Sequence, residues 1–260
     1  MAERPMDARQ HAMALYMTGI RDGHPREAVA AHTGARYTQH STGVADGQEG
    51  FIAFFEPFLA RNPKRDIQLV RTLQDGPNVF VHAHQSLNDG EAQWVTMDFF
   101  DSDADGKIIE HWDVIEAYGA PNASGRTMVD GQTDIHNREN TSANKNTVAS
   151  YFDHCLIARN FEKISDYVAV DCLQHAPDLG DGSAALLTKL TGSDEPFSYH
   201  ELFLTVAEGN FVATLSRARK GEAELCQADL FRLEAGKIVE HWGAVEPVPP
   251  RDEWANSGKF

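Results

Sequence analysis

A heptapeptide that occurs twice constrains this chain more than any other feature. Gly106 to Trp112 read Gly-Lys-Ile-Ile-Glu-His-Trp, and 130 residues on Gly236 to Trp242 read Gly-Lys-Ile-Val-Glu-His-Trp. Other landmarks repeat in the same order. Gln39 and His40 lead to Asp46 and Gly47, as Gln174 and His175 lead to Asp181 and Gly182. The run Gly90-Glu91-Ala92-Gln93 matches Gly221-Glu222-Ala223-Glu224, and Asp98 matches Asp229. A repeat of this length means one supersecondary unit built twice, so the fold has to be solved only once.

Each copy reads the same way. Met13, Tyr16, Met17 and Ile20 fall at helical spacing, as do Val148, Tyr151, Phe152 and Cys155. A second short helix is expected from Pro25 and from Phe161, and Asp46 and Asp181 stand as turn or cap residues before a third. The third helix carries Phe51, Phe54, Phe55 and Phe58 in one copy and Ala184, Leu187 and Leu190 in the other; Pro57 is expected to kink or end the first of these. Four strand-like runs follow in each copy, near 65–74, 78–87, 91–101 and 107–117, then near 197–207, 210–219, 222–233 and 236–246. Helices followed by a meander predict an α+β unit, three helices packed on a curved antiparallel sheet. The copies are placed at 1–131 and 141–260. Ser124-Gly125-Arg126 echoes Ser257-Gly258-Lys259, so the polar stretch between the copies reads as the tail of the first, lying along the protein.

The net charge of −16 sets nucleic acid and anionic membrane surfaces aside as partners. The charged start without an apolar signal core, and apolar runs far short of a membrane span, predict a cytoplasmic protein. Three cysteines make neither a disulfide framework nor a zinc knot, and Cys155 and Cys226 fall where core residues fall. Phosphate loops and a Gly-x-Ser-x-Gly nucleophile elbow are missing from the sequence, so no nucleotide or other cofactor is expected.

The Gln-His…Asp-Gly pair, the Asp-x-Phe strand and the Gly-Lys-Ile-[Ile/Val]-Glu-His-Trp strand resemble the SnoaL-like polyketide cyclases, of the nuclear transport factor 2-like superfamily of cone-shaped α+β barrels. The resemblance covers both halves and implies a tandem duplication. It implies cofactor-free aldol-type chemistry with an Asp on the last strand as acid/base, which falls on Asp113; in the second copy that position is Gly243. The family's His on the preceding strand falls near Asp98 and Asp229, where this chain has carboxylates instead.

Strand alternation sorts the faces. Ile109, His111, Asp113 and Ile115 share one, Trp94, Thr96, Asp98 and Phe100 another, and Phe80, His82 and His84 a third. The expectation is that the first copy turns His82, His84, Asp98, His111 and Asp113 into its barrel. The second would offer Gln227, Asp229 and His241, with Ala213, Leu215 and Gly243 replacing three polar groups, and His40 and His175 would stand at the two pocket mouths. A carboxylate beside imidazoles in an apolar cup can be tuned toward neutrality. Asp113 is then the general base, and His111, His84 or Asp98 polarises a carbonyl or relays the proton. His40, His82, Trp94, Thr96, His175, Asp229 and His241 would contact substrate.

Blander readings stand beside these. Glu-His-Trp could be how the last strand packs, Trp112 and Trp242 core aromatics, and Asp98 and Asp229 buried structural acceptors. His82-x-His84 with His111, Asp113 or Asp98 could hold a metal. A non-catalytic small-ligand binder is the remaining alternative. The copies are expected to pair as an internal pseudo-dimer or with another chain.

Overall fold

The computed structural model describes residues 5–192 and 197–260. By packing, the chain divides into two compact units: one runs to Asp113 and is resumed by Pro249–Phe260, and the other is Val114–Val248.

In the first unit α1 (Ala8–Ala14) widens into a π-helical stretch over Leu15–Arg21. Its start is set by a reciprocal cap. Asp7 accepts from the Gln10 amide and Gln10 accepts from the Asp7 amide, each at 2.9 Å. Pro25, with no N–H to lose, opens α2 (Pro25–His32). Next come β1 (Thr33–Gln39), α3 (Gly47–Arg61), β2 (Arg65–Asp75), β3 (Asn78–Leu87), β4 (Ala92–Ser102) and β5 (Ile108–Ala117). The sheet order is β1-β5-β4-β3-β2. The second unit repeats the plan with α4 (Thr141–Tyr151), again followed by a π-helical stretch, α5 (Ile164–Tyr167), β6 (Val168–Gln174), α6 (Ser183–Thr191), β7 (Phe197–Glu208), β8 (Phe211–Lys220), β9 (Ala223–Glu234) and β10 (Lys237–Pro247). Its order, β6-β10-β9-β8-β7, is the same sheet. Two α+β copies of one topology account for the repeated sequence.

Two expectations need correcting. Each sheet has five strands, not four, because β1 and β6 run parallel to β5 and β10 at one edge. Both are short, and their registers shift mid-strand, which breaks the alternation that marks a strand in sequence. Pro57 does not end α3, which continues to Arg61. Pro57 and Ala53 are exposed, so the carbonyl that loses its donor faces water.

Apolar burial fixes which sheet face the helices cover. Ala12, Leu15, Ile20, Val29, Phe51, Ile67, Val79, Val81, Ala83 and Phe100 form one core in the first unit. Val148, Phe152, Cys155, Leu190, Val212, Phe231 and Ile238 form the equivalent core in the second. The concave face of each sheet, under its helices, is therefore the one carrying Val81 or Val212. None of the described helices is long and apolar enough to cross a membrane.

The packing boundary and the repeat boundary differ. Residues 114–131, placed with the first copy by the repeat, pack within the second unit, and Pro249–Phe260 within the first. Each segment docks the same way. Asn256 donates to the carbonyls of Ser41 (2.7 Å) and Val44 (2.9 Å). Asn122 donates to those of Gln174 (2.6 Å) and Leu179 (2.8 Å). Gly258 has φ +112°, and a Cβ there would lie 2.2 Å from the Trp254 ring, so only glycine allows that turn.

Candidate active site

Cross-strand register settles the faces. Val81 on β3 lies opposite Asp98 on β4, and Ala83 opposite Thr96. Directly opposed residues share a face, so Thr96, Asp98 and Phe100 point into the cup with the apolar core. The residues between them, Phe80, His82 and His84, oppose Phe99, Met97 and Val95 and point out of it. This corrects the expectation that His82 and His84 line the site. His82 is fully buried on the outer face, 3.3 Å from Arg71 Nη1, and His84 meets Gln93 Oε1 at 3.2 Å. The His82-x-His84 pair is thus on the opposite side of the sheet from Asp98, and cannot form one metal site with it.

Inside the cup, His111 is held from both sides. Its Nε2 lies 2.9 Å from Asp98 Oδ1 and its Nδ1 2.9 Å from Gln39 Oε1, both within hydrogen-bond distance. The ring also stacks on Phe100, with centroids 4.7 Å apart. Gln39 is fixed in turn, its amide donating to Tyr37 Oη at 2.9 Å. Asp98 takes a second hydrogen bond on its other oxygen, from Tyr16 Oη at 2.5 Å, and Thr96 Oγ1 lies 2.8 Å from the same phenol. Burial and the Asp98 charge raise the Tyr16 pKa well above the ordinary phenol value, and burial does the same for Tyr37. Both phenols stay protonated, Tyr16 donating to Asp98 and Tyr37 accepting from Gln39.

Asp113, one step along β5 on the same face, is 5 % exposed. Its Oδ1 accepts from Lys259 Nζ at 2.8 Å, and Lys259 is itself only 2 % exposed. Burial pushes the Asp113 carboxyl up, but the Lys259 ammonium, His111, and hydrogen bonds from Lys259 and Ser41 outweigh it and hold it below its usual value. The expected tuning toward neutrality is therefore reversed. Donor atoms of Asp98, His111 and Asp113 lie within 4.8 Å of one another.

The second cup keeps the inner half of this arrangement. His241 Nε2 lies 2.9 Å from Asp229 Oδ1 and its Nδ1 2.7 Å from Gln174 Oε1. Tyr199 Oη donates to Asp229 Oδ2 at 3.1 Å and Gln227 Nε2 to Asp229 Oδ1 at 2.8 Å. Gly243 stands where Asp113 does, and Arg126, the echo of Lys259, pairs with Asp181 at 2.9 Å instead of entering the cup. A cavity of about 630 Å³ in this unit reaches Gln227 and Gly243. Cys155 and Cys172 are buried free thiols, pushed up by burial to about 11 and about 12, which leaves neither a thiolate nucleophile near neutral pH.

The two repeated histidines beside the motif do not stand at a pocket mouth. His40 is buried against Trp112, rings stacked at 4.5 Å, with Glu110 Oε1 at 2.8 Å and the Gly258 carbonyl at 2.7 Å. His175 repeats this with Trp242 at 4.7 Å, Glu240 at 2.9 Å and the Thr127 carbonyl at 2.9 Å. Glu110 and Trp112 alternate with His111, so this is the far side of β5, and both histidines anchor the docked segments. Asp46 and Asp181 accept from the amides of Gln39 (2.8 Å) and Gln174 (2.9 Å), which explains the fixed Gln-His…Asp-Gly spacing. Trp94 is 37 % exposed and four residues from Asp98 along β4, roughly 13 Å away.

Sequence reasoning missed Tyr16, Tyr37, Gln39 and Lys259 as members of the cluster. Tyr16 hid in a helical apolar stripe. Gln39 was signalled by its repeat beside the histidine, and Lys259 by the Ser-Gly-Arg/Lys echo.

Residues 15–111 match the SnoaL-like domain family. No curated protein sequence matches the chain. Three solved structures illustrate what it is similar to. One is a Kribbella flavida protein assigned as a ketosteroid isomerase, at 19 % identity, covering 44 % of this chain and 87 % of that one, with a TM-score of 0.37. Another is IdmH from Streptomyces antibioticus, assigned as a polyketide cyclase, at 20 % identity, 40 % and 91 % coverage and a TM-score of 0.35. The third is an LEH-like epoxide hydrolase of M. tuberculosis, at 15 % identity, 41 % and 84 % coverage and a TM-score of 0.35.

Proposed function

We propose that this chain, whose residues 15–111 match the SnoaL-like domain family, is a cofactor-independent acid/base enzyme, an isomerase, cyclase or aldol-type lyase acting on a small carbonyl compound in its first cup. One observation carries the reading: the first cup brings together Tyr16, Asp98 and His111, joined by hydrogen bonds, and the hydrogen-bonded pair Asp113 and Lys259, in one mostly buried cluster, where the second copy has Tyr199, Asp229 and His241 and, among the described residues, no counterpart of the pair. Burying ionisable groups is costly unless they are paired or used, and only one copy carries the extra pair.

In this reading the Asp113 carboxylate removes a proton next to the carbonyl. His111 stays held by Asp98 through Nε2, exchanges its Gln39 contact for the carbonyl oxygen, and steadies the developing enolate through Nδ1–H. The proton on Asp113 then returns to another carbon, giving an isomer, or the enolate carbon attacks a second carbonyl and closes a ring, the C=O π pair moving to oxygen and the Asp113 proton passing to the resulting alkoxide. The test is washout of α-protons from a 1,3-dicarbonyl probe in D₂O, followed by NMR. Asp113→Asn is expected to slow washout at least a hundredfold, in the range that general-base removal produces; full retention overturns the assignment.

The 630 Å³ cavity at Gly243 favours a second reading, a ligand-holding cup without turnover. In that case the same probe protects amides of β9 and β10 from exchange while its α-protons stay in place.

A further inference from the structure

We propose that Lys259 is a positioning residue for Asp113, so that the first cup is a complete site only when the segment Pro249–Phe260, which follows the whole second copy, is docked. The geometry is specific. Lys259 Nζ sits 2.8 Å from Asp113 Oδ1, and both side chains are almost wholly withdrawn from water. The approach is built by three fixed contacts upstream: the Asn256 amide clamped on Ser41 and Val44, the Gly258 amide bonded back to Asn256 Oδ1 at 2.8 Å, and the Gly258 carbonyl on His40. A long flexible side chain loses rotamer freedom on burial, and here the backbone behind it is pinned before it enters.

The chain supplies its own comparison. The segment that docks on the second unit carries Arg126 at the equivalent place, and that unit has Gly243 in place of the aspartate. Arg126 stays with Asp181 on the loop. The carboxylate and the inward-reaching cation are thus present together in one cup and absent together in the other. A packing role alone would not require both to change.

The chemical consequence follows from what surrounds Asp113. From the helix comes Tyr16, from β1 Tyr37, from β4 Asp98, from β5 His111, from the loop after β1 the Ser41 hydroxyl, and from the docked segment Lys259. Without the ammonium, a second carboxylate beside Asp98 in a desolvated cup takes up a proton, and a protonated carboxyl is no base. Lys259 weakens Asp113 as a base but keeps it in the form that can act. This purpose rests on the acid/base reading above; the readout below does not need turnover.

The experiment is a pH titration of full-length protein labelled at aspartate Cγ, with the Asp113 resonance assigned through Asp113→Asn. In the unaltered protein Asp113 is expected to stay ionised below the ordinary carboxylate range. Lys259→Met is expected to tighten its proton binding at least a hundredfold, and Lys259→Arg to restore most of the loss. The acid limb of any turnover should move upward with the same variant. An Asp113 midpoint unmoved in folded Lys259→Met overturns the proposal. Should Lys259→Met fail to fold, the double variant Lys259→Met/Asp113→Asn decides. Recovery of folding shows that the unbalanced charge was the fault; continued failure shows that the segment serves packing alone and overturns the proposal. A shifted midpoint in a protein without turnover sustains this inference while the enzymatic reading falls.

Discussion

Asp98 takes hydrogen bonds on both oxygens, from a phenol and from an imidazole, and this makes it the residue on which the cup's geometry turns. Removing one donor to a buried carboxylate leaves a lone pair that water cannot reach. Tyr16→Phe is therefore expected to cost about 1–3 kcal/mol of stability, measured by urea unfolding; a loss near zero would mean that Asp98 is satisfied without Tyr16. The same scale shows where sequence alternation stops being informative. Asp98, His111 and Asp113 have side-chain atoms within 4.8 Å of one another. Alternation did not place His82 and His84, because β3 is buried on both faces: Val81 and His82 are both fully buried. A strand with two buried faces has no polar side to mark its orientation, and only the register with β4 resolves it.

At the scale of elements, α1 and α2 meet through His11 and His32, whose Nδ1 atoms are 3.0 Å apart. One must donate and the other accept, so the contact holds while at least one ring is neutral. Burial and the neighbouring Lys107 lower the pKa of both rings, and His11 lowers that of His32 further. A lowered histidine pKa means that the unfolded chain binds the proton first as pH drops. This contribution is present above about pH 6.5 and is lost as pH falls below it. Urea midpoints at pH 7.5 and 5.5 should show the loss, and His32→Gln should reduce the difference; an unchanged difference removes the pair from the account. Helices and meander strands were legible in the sequence because their periods are long and unbroken. The edge strands β1 and β6 were not, since a bulge in seven residues leaves too little alternation to count.

At the scale of the whole molecule, duplication was plain from the repeated heptapeptide, but the exchange of docked segments was not. Nothing in Ser257-Gly258-Lys259 states which copy it will pack on; that depends on where the backbone leaves the last strand. The prediction at this scale is non-local. Deleting residues 249–260 should raise hydrogen exchange in β1 and in the loop at Ser41–Val44, far away in sequence, while β6 to β10 keep their protection. Equal loss in both units would show that the segment stabilises the protein generally.

The exchange also orders events in time. Asp113 is synthesised early, and its ammonium partner arrives only after 145 further residues have been made. The half of the polypeptide that leaves the ribosome first is the half that must wait, its Asp113 carboxyl without the ammonium that completes the site. An interrupted translation product would carry that unfinished interior exposed, a mark by which proteases could tell it from the completed molecule.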